Sequence, residues 1–238
     1  MLRNAKMQRT LIATWTLGLA ALLTGAAGTA MAQVTVALPT EGDLKATLEL
    51  VGDIKRGEAT YSECQSCHRR DGSGRAKFAM PRLSGQHASV LIKQLMDIRS
   101  DQRVNTDMRD YMFDSDLTLQ DFADMAAYLE ALPIIGNIAK GPTELVARGK
   151  TVYETYCVAC HGEHGEGRAE FFYPMLASQH YTYLLREIDL ILTGQRGNSN
   201  PAMPAILSNL SDEDKKAVSA YLSQLPPPPK VAKAEVAK

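Results

Sequence analysis

Two short cysteine motifs hold the side chains of this sequence whose types and spacing are suited to redox chemistry. The motifs consist of Cys64, Cys67 and His68, and of Cys157, Cys160 and His161. Two thiols three residues apart on one helical turn can each bond one vinyl group of the same porphyrin, and the next histidine can bind its iron. The sequence therefore predicts two covalently bound hemes c, with His68 and His161 as the proximal iron ligands.

Other uses of paired cysteines fit the sequence less well. A redox dithiol also has a Cys-x-x-Cys motif, but it does not require a histidine next in line in both copies. In a four-cysteine zinc site the two pairs usually lie closer together, whereas 89 residues separate Cys67 from Cys157. A disulfide within either motif would be strained.

The ring nitrogen of a ligand histidine that does not bind metal normally donates its proton to a fixed acceptor. Pro81 and Pro174 follow the two histidines at the same distance along the chain. Their backbone carbonyls are candidates for that acceptor. An ordinary turn would explain the two prolines equally well.

The second axial ligand decides whether a heme carries electrons or binds small molecules. A methionine ligand raises the reduction potential and suits electron transfer. Met203 lies between two prolines, in a segment predicted as a loop, where core packing explains a methionine poorly. In the first half Asp110 aligns with Met203, so the prediction there is Met108, with Met112 as the alternate.

The remaining candidate iron ligands are assigned other roles. Met80 and Met96 are predicted to pack against other side chains, and Met125 lies on the apolar face of a predicted helix. His87 and His180 occupy equivalent positions at the start of a predicted helix. They are interpreted as helix-terminal or surface residues, with iron ligation as the alternative.

The two motifs belong to a tandem duplication in which equivalent residues differ by 93 in number. The identical pairs include Gly72 and Gly165, Pro81 and Pro174, Gln86 and Gln179, His87 and His180, Tyr128 and Tyr221, and Leu132 and Leu225. A repeat of about 90 residues is small for a domain held only by side-chain burial. A heme would add a large apolar surface to each core.

Helical periodicity and capping signals predict an all-α fold. Each half is expected to contain a helix leading into its heme motif and two further helices. The further helices are predicted at 86–100 and 118–132 in the first half, and at 179–192 and 211–225 in the second. The Thr118-x-x-Asp121 and Ser211-x-x-Asp214 patterns mark N-termini.

The chain is predicted to divide into five segments. A basic start, an apolar run and Ala30-Met31-Ala32 are typical of a cleavable signal peptide, which places the mature protein in the periplasm. The predicted segments are a signal peptide at 1–32, an N-terminal domain at 33–135, a linker at 136–143, a C-terminal domain at 144–226, and a disordered tail at 227–238.

Charge excludes some partners and suggests others. The chain has 26 Lys and Arg against 27 Asp and Glu, and loss of the signal peptide with its three basic residues changes the net charge from −1 to −4. No basic stripe remains, so nucleic acid is not an expected partner. The segment 97–124 has eight Asp and three Arg. It is interpreted as a solvated face, or as a surface that steers a basic redox partner.

The duplicated sequence resembles the diheme cytochrome c4 family, in which two class I cytochrome c domains follow one another. The resemblance rests on the two heme motifs, the duplication, and the segments Pro81-Arg-Leu-Ser-Gly-Gln86 and Pro174-Met-Leu-Ala-Ser-Gln179. It implies one methionine ligand per half, and hemes close enough to exchange electrons.

The resemblance also implies an electron carrier that works between a respiratory or oxidising enzyme and a terminal oxidase or reductase. The sequence has no Gly-rich nucleotide motif or acid–base pair to support substrate chemistry, so no catalytic residue is predicted. The displaced methionine in the first half keeps a diheme enzyme with an open site on heme one as an alternative. A heme subunit of a dehydrogenase complex is another. Peripheral membrane association would then come through a partner.

Overall fold

The computed structural model describes residues 39–229, which belong to one compact unit. The predicted signal peptide and the last nine residues of the predicted tail lie outside the described residues. Residues 39–229 contain helices and two isolated bridges, Arg75–Met80 and Arg168–Tyr173, but no β-strand. The predicted all-α class is confirmed.

The first half contains six α-helices that enclose the first motif. They are α1 (Glu41–Glu49), α2 (Ile54–Tyr61), α3 (Gln65–His68), α4 (Ala88–Arg99), α5 (Thr106–Asp114) and α6 (Leu119–Ala131). The side chains of α4, α5 and α6 form most of its core. The buried apolar members of that core are Tyr61, Leu91, Ile92, Met96, Ile98, Met112, Phe122, Met125, Ala126, Tyr128 and Leu129.

The second half repeats this order without a counterpart of α1. Its helices are α7 (Val146–Tyr156), α8 (Val158–His161), α9 (Tyr181–Leu192), α10 (Ala202–Leu207) and α11 (Asp212–Gln224). The apolar core is smaller than that of the first half. It consists of Val152, Tyr153, Leu184, Leu207, Leu210, Val218 and Leu222.

The predicted capping signals are present at the last helix of each half. Thr118 accepts a hydrogen bond from the Asp121 amide while the Asp121 carboxylate accepts one from the Thr118 amide. Ser211 and Asp214 form the same box at α11. Each box satisfies amides that have no partner within the helix, so these two helix starts were predicted correctly.

Helical structure leads into each motif, as predicted, although α2 passes through a 3-10 turn at Ser62–Cys64 before α3, and α7 ends at Tyr156 before α8. One sequence prediction about local structure was wrong. The segment around Met203 is not a loop but the first turn of α10. Pro204 is tolerated there because first-turn amides have no intrahelical acceptor.

A glycine allows two helices to cross closely in each half. Gly57 on α2 lies against the backbone of Asp124 on α6, and Gly149 on α7 lies against the backbone of Ala217 on α11. A Cβ at either glycine would overlap a carbonyl oxygen of the opposing helix. The two crossings therefore set how closely the helix before each motif packs on the last helix.

Replacing Gly149 with alanine is expected to lower the free energy of unfolding by about 3 kcal/mol, since the helices must separate to admit a methyl group. Denaturant unfolding followed by circular dichroism measures it. Gly42→Ala is the control, because the nearest atom to a Cβ there is Thr40 Oγ1 at 3.5 Å. Equal unfolding midpoints for Gly149→Ala and the wild type would contradict the prediction.

The predicted linker packs on the second half. The Ala139 amide donates to His180 Nδ1 at 3.1 Å, and the Gly141 amide donates to Ser223 Oγ at 3.0 Å. The Gln224 side chain donates to the Gly141 carbonyl at 3.1 Å. No helix among residues 39–229 is long and apolar enough to cross a membrane.

Candidate heme-binding sites

Each motif occupies a short helix at the end of a longer one. Cys64 closes the 3-10 turn, and Cys67 and His68 follow on α3. Cys157 is the C-cap of α7, and Cys160 and His161 follow on α8. No disulfide bond joins any of these four cysteines. Residues three apart on a helix share a face, so the two thiols of each motif can reach one planar group.

Burial changes the acidity of the first thiol in each motif. It raises the pKa of Cys64 to about 11, with further contributions from Glu63 and Cys67. It raises the pKa of Cys157 to about 11 as well, with a further contribution from Cys160. A redox-active dithiol needs a lowered thiol pKa, so this environment does not favour that alternative.

The two motif histidines have one ring nitrogen fixed by the backbone. His68 Nδ1 lies 3.3 Å from the Pro81 carbonyl oxygen, and His161 Nδ1 lies 3.1 Å from the Pro174 carbonyl oxygen. Because a carbonyl only accepts, the proton must be on Nδ1. The prediction that these prolines present the acceptor is confirmed.

Both imidazoles are set up to bind a metal through Nε2. Both are buried. Burial lowers the pKa of each, outweighing the proline hydrogen bond, and so favours the neutral ring. No residue from 39 to 229 hydrogen-bonds either Nε2. A heme c needs two thiols that attach its porphyrin and a neutral imidazole whose Nε2 can bind its iron. Each motif provides these groups, so the residues present fit a heme c.

A buried tyrosine ties each motif to the preceding long helix. Tyr61 donates its hydroxyl to the Arg69 carbonyl at 2.9 Å, and Tyr153 donates to the Gly162 carbonyl at 2.6 Å. Arg69 and Gly162 directly follow the histidines and have φ values of 63° and 81°. These bonds hold the chain where it reverses after each histidine.

The predicted methionine ligands lie on short helices after α4 and α9. Met203 is half-buried against the second core. Met108 and Met112 are four residues apart on α5 and so share one face. Met112 is 2% exposed within the first core, whereas Met108 is half-buried on the edge of that core. Met108 therefore resembles Met203 in its environment. The choice of Met108 over Met112 as the ligand in the first half remains a prediction.

The methionines predicted to be packing residues can be compared with the structure. Met96 is 3% exposed and Met125 is 2% exposed, both within the first core. These two predictions are confirmed.

His87 and His180 are helix-terminal, as predicted, and their rings reach across to the opposite half. They are the N-caps of α4 and α9. His87 Nε2 lies 2.7 Å from the Glu166 carbonyl oxygen, and His180 Nε2 lies 2.7 Å from the Ser73 carbonyl oxygen. His87 is half-buried and His180 is buried.

Two glutamines clamp the halves together in a reciprocal way. Gln86 accepts from the Met175 amide at 2.9 Å and donates to the Met175 carbonyl at 3.0 Å. Gln179 accepts from the Arg82 amide at 2.8 Å and donates to the Arg82 carbonyl at 3.0 Å. Residues 82 and 175 directly follow the prolines that hold the histidines. The interface therefore has an approximate two-fold axis and fixes the two heme sites relative to each other.

A buried ionic cluster extends this symmetry. Glu187 accepts from Arg103 at 2.9 Å and from Arg196 at 2.7 Å. Gln94, the equivalent of Glu187 in the first half, accepts from the same two arginines at 2.7 and 3.4 Å. Burial alone would raise the pKa of Glu187, but Arg103, Arg196 and Arg186 together hold it below its usual range.

Several polar residues outside the heme motifs are identical between the two repeats, and heme binding does not explain why. Gln86 and Gln179 are identical between the repeats, as are the histidines that follow them. Each repeat also retains the arginine of the ionic cluster. Repeat identity at polar positions outside the heme motifs was the clue, and reciprocal contacts are its physical explanation.

The acidic segment is not a uniformly solvated face. Asp97 is buried, pairs with Lys93 and accepts from Asn198 at 2.6 Å. Asp124 is buried and pairs with Arg56 at 2.6 Å. Asp107 and Asp110 are exposed on α5. The acidic surface that segment 97–124 offers to a redox partner is therefore smaller than its eight Asp residues suggest.

Comparison with known proteins finds matches over both halves. The family described as cytochrome c matches residues 54–133 and 146–226. A protein named cytochrome c4 from Pseudomonas aeruginosa is 31% identical over 184 residues, covering 73% of this chain and 89% of that protein. A thiosulfate dehydrogenase electron acceptor from Stutzerimonas stutzeri is 34% identical over 174 residues, covering 68% and 78%. The structure of reduced recombinant cytochrome c4 from Pseudomonas stutzeri aligns with a TM-score of 0.66 at 27% identity, covering 74% of this chain and 100% of that one.

Proposed function

This chain belongs to the diheme cytochrome c4 family, and from that premise we propose that it carries electrons between redox proteins in the periplasm. The observation that carries the proposal is the repeated donor set, in which each buried histidine has Nδ1 fixed and Nε2 free. The repetition provides two redox sites on one chain. The interface glutamines hold the two sites in a fixed relation, which suits transfer between them.

We assign the two heme sites as follows. The cysteines of each motif attach the heme, and His68 and His161 are the proximal ligands. Met203 is the distal ligand in the second half, and Met108 is the distal ligand in the first, with Met112 as the alternate. A bound heme supplies an iron that alternates between ferric and ferrous states.

The chain's own residues keep this chemistry to electron transfer. The Pro81 and Pro174 carbonyls fix the imidazole tautomer and orientation. A methionine on the opposite side would close the remaining ligand position against small molecules. In this proposal neither half has a catalytic residue.

A reductive titration of the purified holoprotein tests the proposal. We expect the chain to take up two electrons reversibly, and the reduced protein to show no spectral change on adding carbon monoxide. A chain that took up two electrons but bound carbon monoxide at one heme would favour the diheme enzyme. Uptake of a single electron would contradict the proposal.

A second candidate is a heme subunit docked on a dehydrogenase. The observation that favours it is the relative named as an electron acceptor of thiosulfate dehydrogenase. Purification from native periplasm separates the two functions. A free carrier elutes at the size of this chain, whereas a subunit elutes with a larger protein.

The exposed carboxylates of α5 should steer a basic partner toward the first half. Replacing Asp107 and Asp110 with asparagine is expected to slow reduction by a cationic ruthenium hexaammine roughly threefold at low ionic strength, because encounter is electrostatically guided. Stopped-flow mixing at rising salt concentration measures this effect. The control replaces Glu163 and Glu170, both exposed on the second half, with glutamine. If the wild type and the two variants had equal rates and equal salt dependence, the proposed steering by α5 would be contradicted.

A further inference from the structure

Arg82 is a buried cation between the two halves. Its side chain is 1% exposed and is among the largest fully buried side chains of the described residues. Among residues 39–229 no carboxylate pairs with it. Buried arginine is normally paired with an acid, since removing a charge from water is costly. Its position therefore calls for an explanation.

Neutral groups occupy the donors of its guanidinium. Nε donates to the Ser178 carbonyl at 2.8 Å, and Nη2 donates to the Ala177 carbonyl at 2.9 Å and to Met175 Sδ at 3.6 Å. Nη1 donates to the Ser84 carbonyl. These bonds hold the guanidinium in place, and all of its partners among the described residues are neutral. Even though burial lowers the pKa of Arg82 to about 10, the group stays charged near neutral pH.

The charge lies between the supports of the two proximal histidines. Arg82 directly follows Pro81, whose carbonyl holds His68. Its side chain contacts Met175, which directly follows Pro174, whose carbonyl holds His161. Arg82 therefore places a positive charge beside the backbone segments that hold both histidines, apart from the buried pair Arg103 and Arg196, which share Glu187.

Comparison of the two repeats shows that only the first half has an arginine at this position. Met175 is the residue equivalent to Arg82, with the same relation to its own proline and to the opposite glutamine. The backbone clamp is symmetric, and the charge is not. The clamp therefore does not require an arginine, because Met175 takes part in it equally well.

We infer that Arg82 is a positioning residue whose buried positive charge raises the reduction potentials of the two heme sites. A fixed positive charge favours whichever redox state carries less positive charge, which is the reduced state. A buried charge acts over a longer range than a surface charge and is little screened by salt. The inference rests on the proposed function, since it concerns the same two sites.

The test compares midpoint potentials of holoprotein variants by spectroelectrochemistry. Arg82→Met copies the residue of the second half, and Arg82→Gln removes the charge while keeping an amide donor. We expect the equilibrium constant for reduction, averaged over the two sites, to fall about tenfold in both, which is 59 mV for one electron. Arg148→Met is the matched control, because it removes the same charge from a surface pair with Asp214.

A swap variant separates charge from packing. Combining Arg82→Met with Met175→Arg restores the charge at the equivalent position, and it should recover at least half of the lost potential. Heme content and denaturant midpoints identify the variants that fold, and Arg82→Gln decides the question if Arg82→Met does not fold. A change below threefold in the folded neutral variants, or an equal change in Arg148→Met, would overturn the inference. So would a folded swap variant without recovery.

The two levels of the proposal fail in different ways. If the chain does not carry two redox sites, the wild-type protein itself lacks a two-electron titration. If only the role of Arg82 is wrong, the wild-type titration is intact and the potentials of the variants do not move.

Discussion

Replacing Cys157 and Cys160 with serine is expected to remove one of the two hemes and unfold the second half of the chain. The second core contains few large apolar side chains, so a heme would contribute much of the apolar surface that half can bury. Removing one large aromatic from a core costs about 3–5 kcal/mol, and a heme is larger than any side chain. The free energy of unfolding of the second half should therefore fall by about 5 kcal/mol or more.

Heme content per chain and the far-ultraviolet circular dichroism of the variant measure these two effects. The matched control is the same pair of substitutions at Cys64 and Cys67. That variant should also lose one heme, but it should keep more helix, because the first core is larger. A full heme content in either variant would contradict the assignment of the motifs.

Replacing Met203 with alanine is expected to give the second-largest effect. Loss of a thioether ligand should lower the potential of one heme by on the order of 100 mV, since axial ligands set heme potentials over a range of about 0.8 V. The reduced variant should bind carbon monoxide at that heme. Met96→Ala is the control, because Met96 is a core residue of the first half. It should lower stability and leave both potentials unchanged.

The same comparison resolves the first half. Met108→Ala should open the first heme to carbon monoxide if Met108 is the ligand. Met112→Ala should then reduce only the free energy of unfolding, as expected for a side chain 2% exposed in the core. The reverse pattern would assign Met112 as the ligand.

The parts of the fold that depend on local signals could be predicted from the sequence. The capping boxes at Thr118 and Ser211 require only residues three apart, and both are present. The Pro81 and Pro174 carbonyls were predicted from equal spacing after the histidines. The helix around Met203 was missed because its flanking prolines indicate a loop. A proline in the first helical turn loses no hydrogen bond, so that signal was ambiguous.

The contacts between the halves could not be predicted in the same way. Gln86 and Gln179 act only once the two halves are docked, and nothing in their local sequence gives the docking. The acidic content of segment 97–124 overstated its solvated surface, because two of its Asp residues are buried against residues distant in the sequence. Asp97 accepts from Asn198 of the other half, and Asp124 pairs with Arg56. Repeat identity identifies such positions, but only the structure shows their partners.

The carrier assignment requires that both hemes have six ligands and that each distal ligand is a methionine. The most direct measurement uses the unmodified holoprotein, and counts methionine-ligated ferric hemes from their weak charge-transfer band at the red edge of the spectrum. Carbon monoxide is then added to the reduced form. We predict two such hemes and no carbon monoxide binding. One methionine-ligated heme, with carbon monoxide bound at the other, would contradict the carrier assignment and favour a catalytic role for the first half.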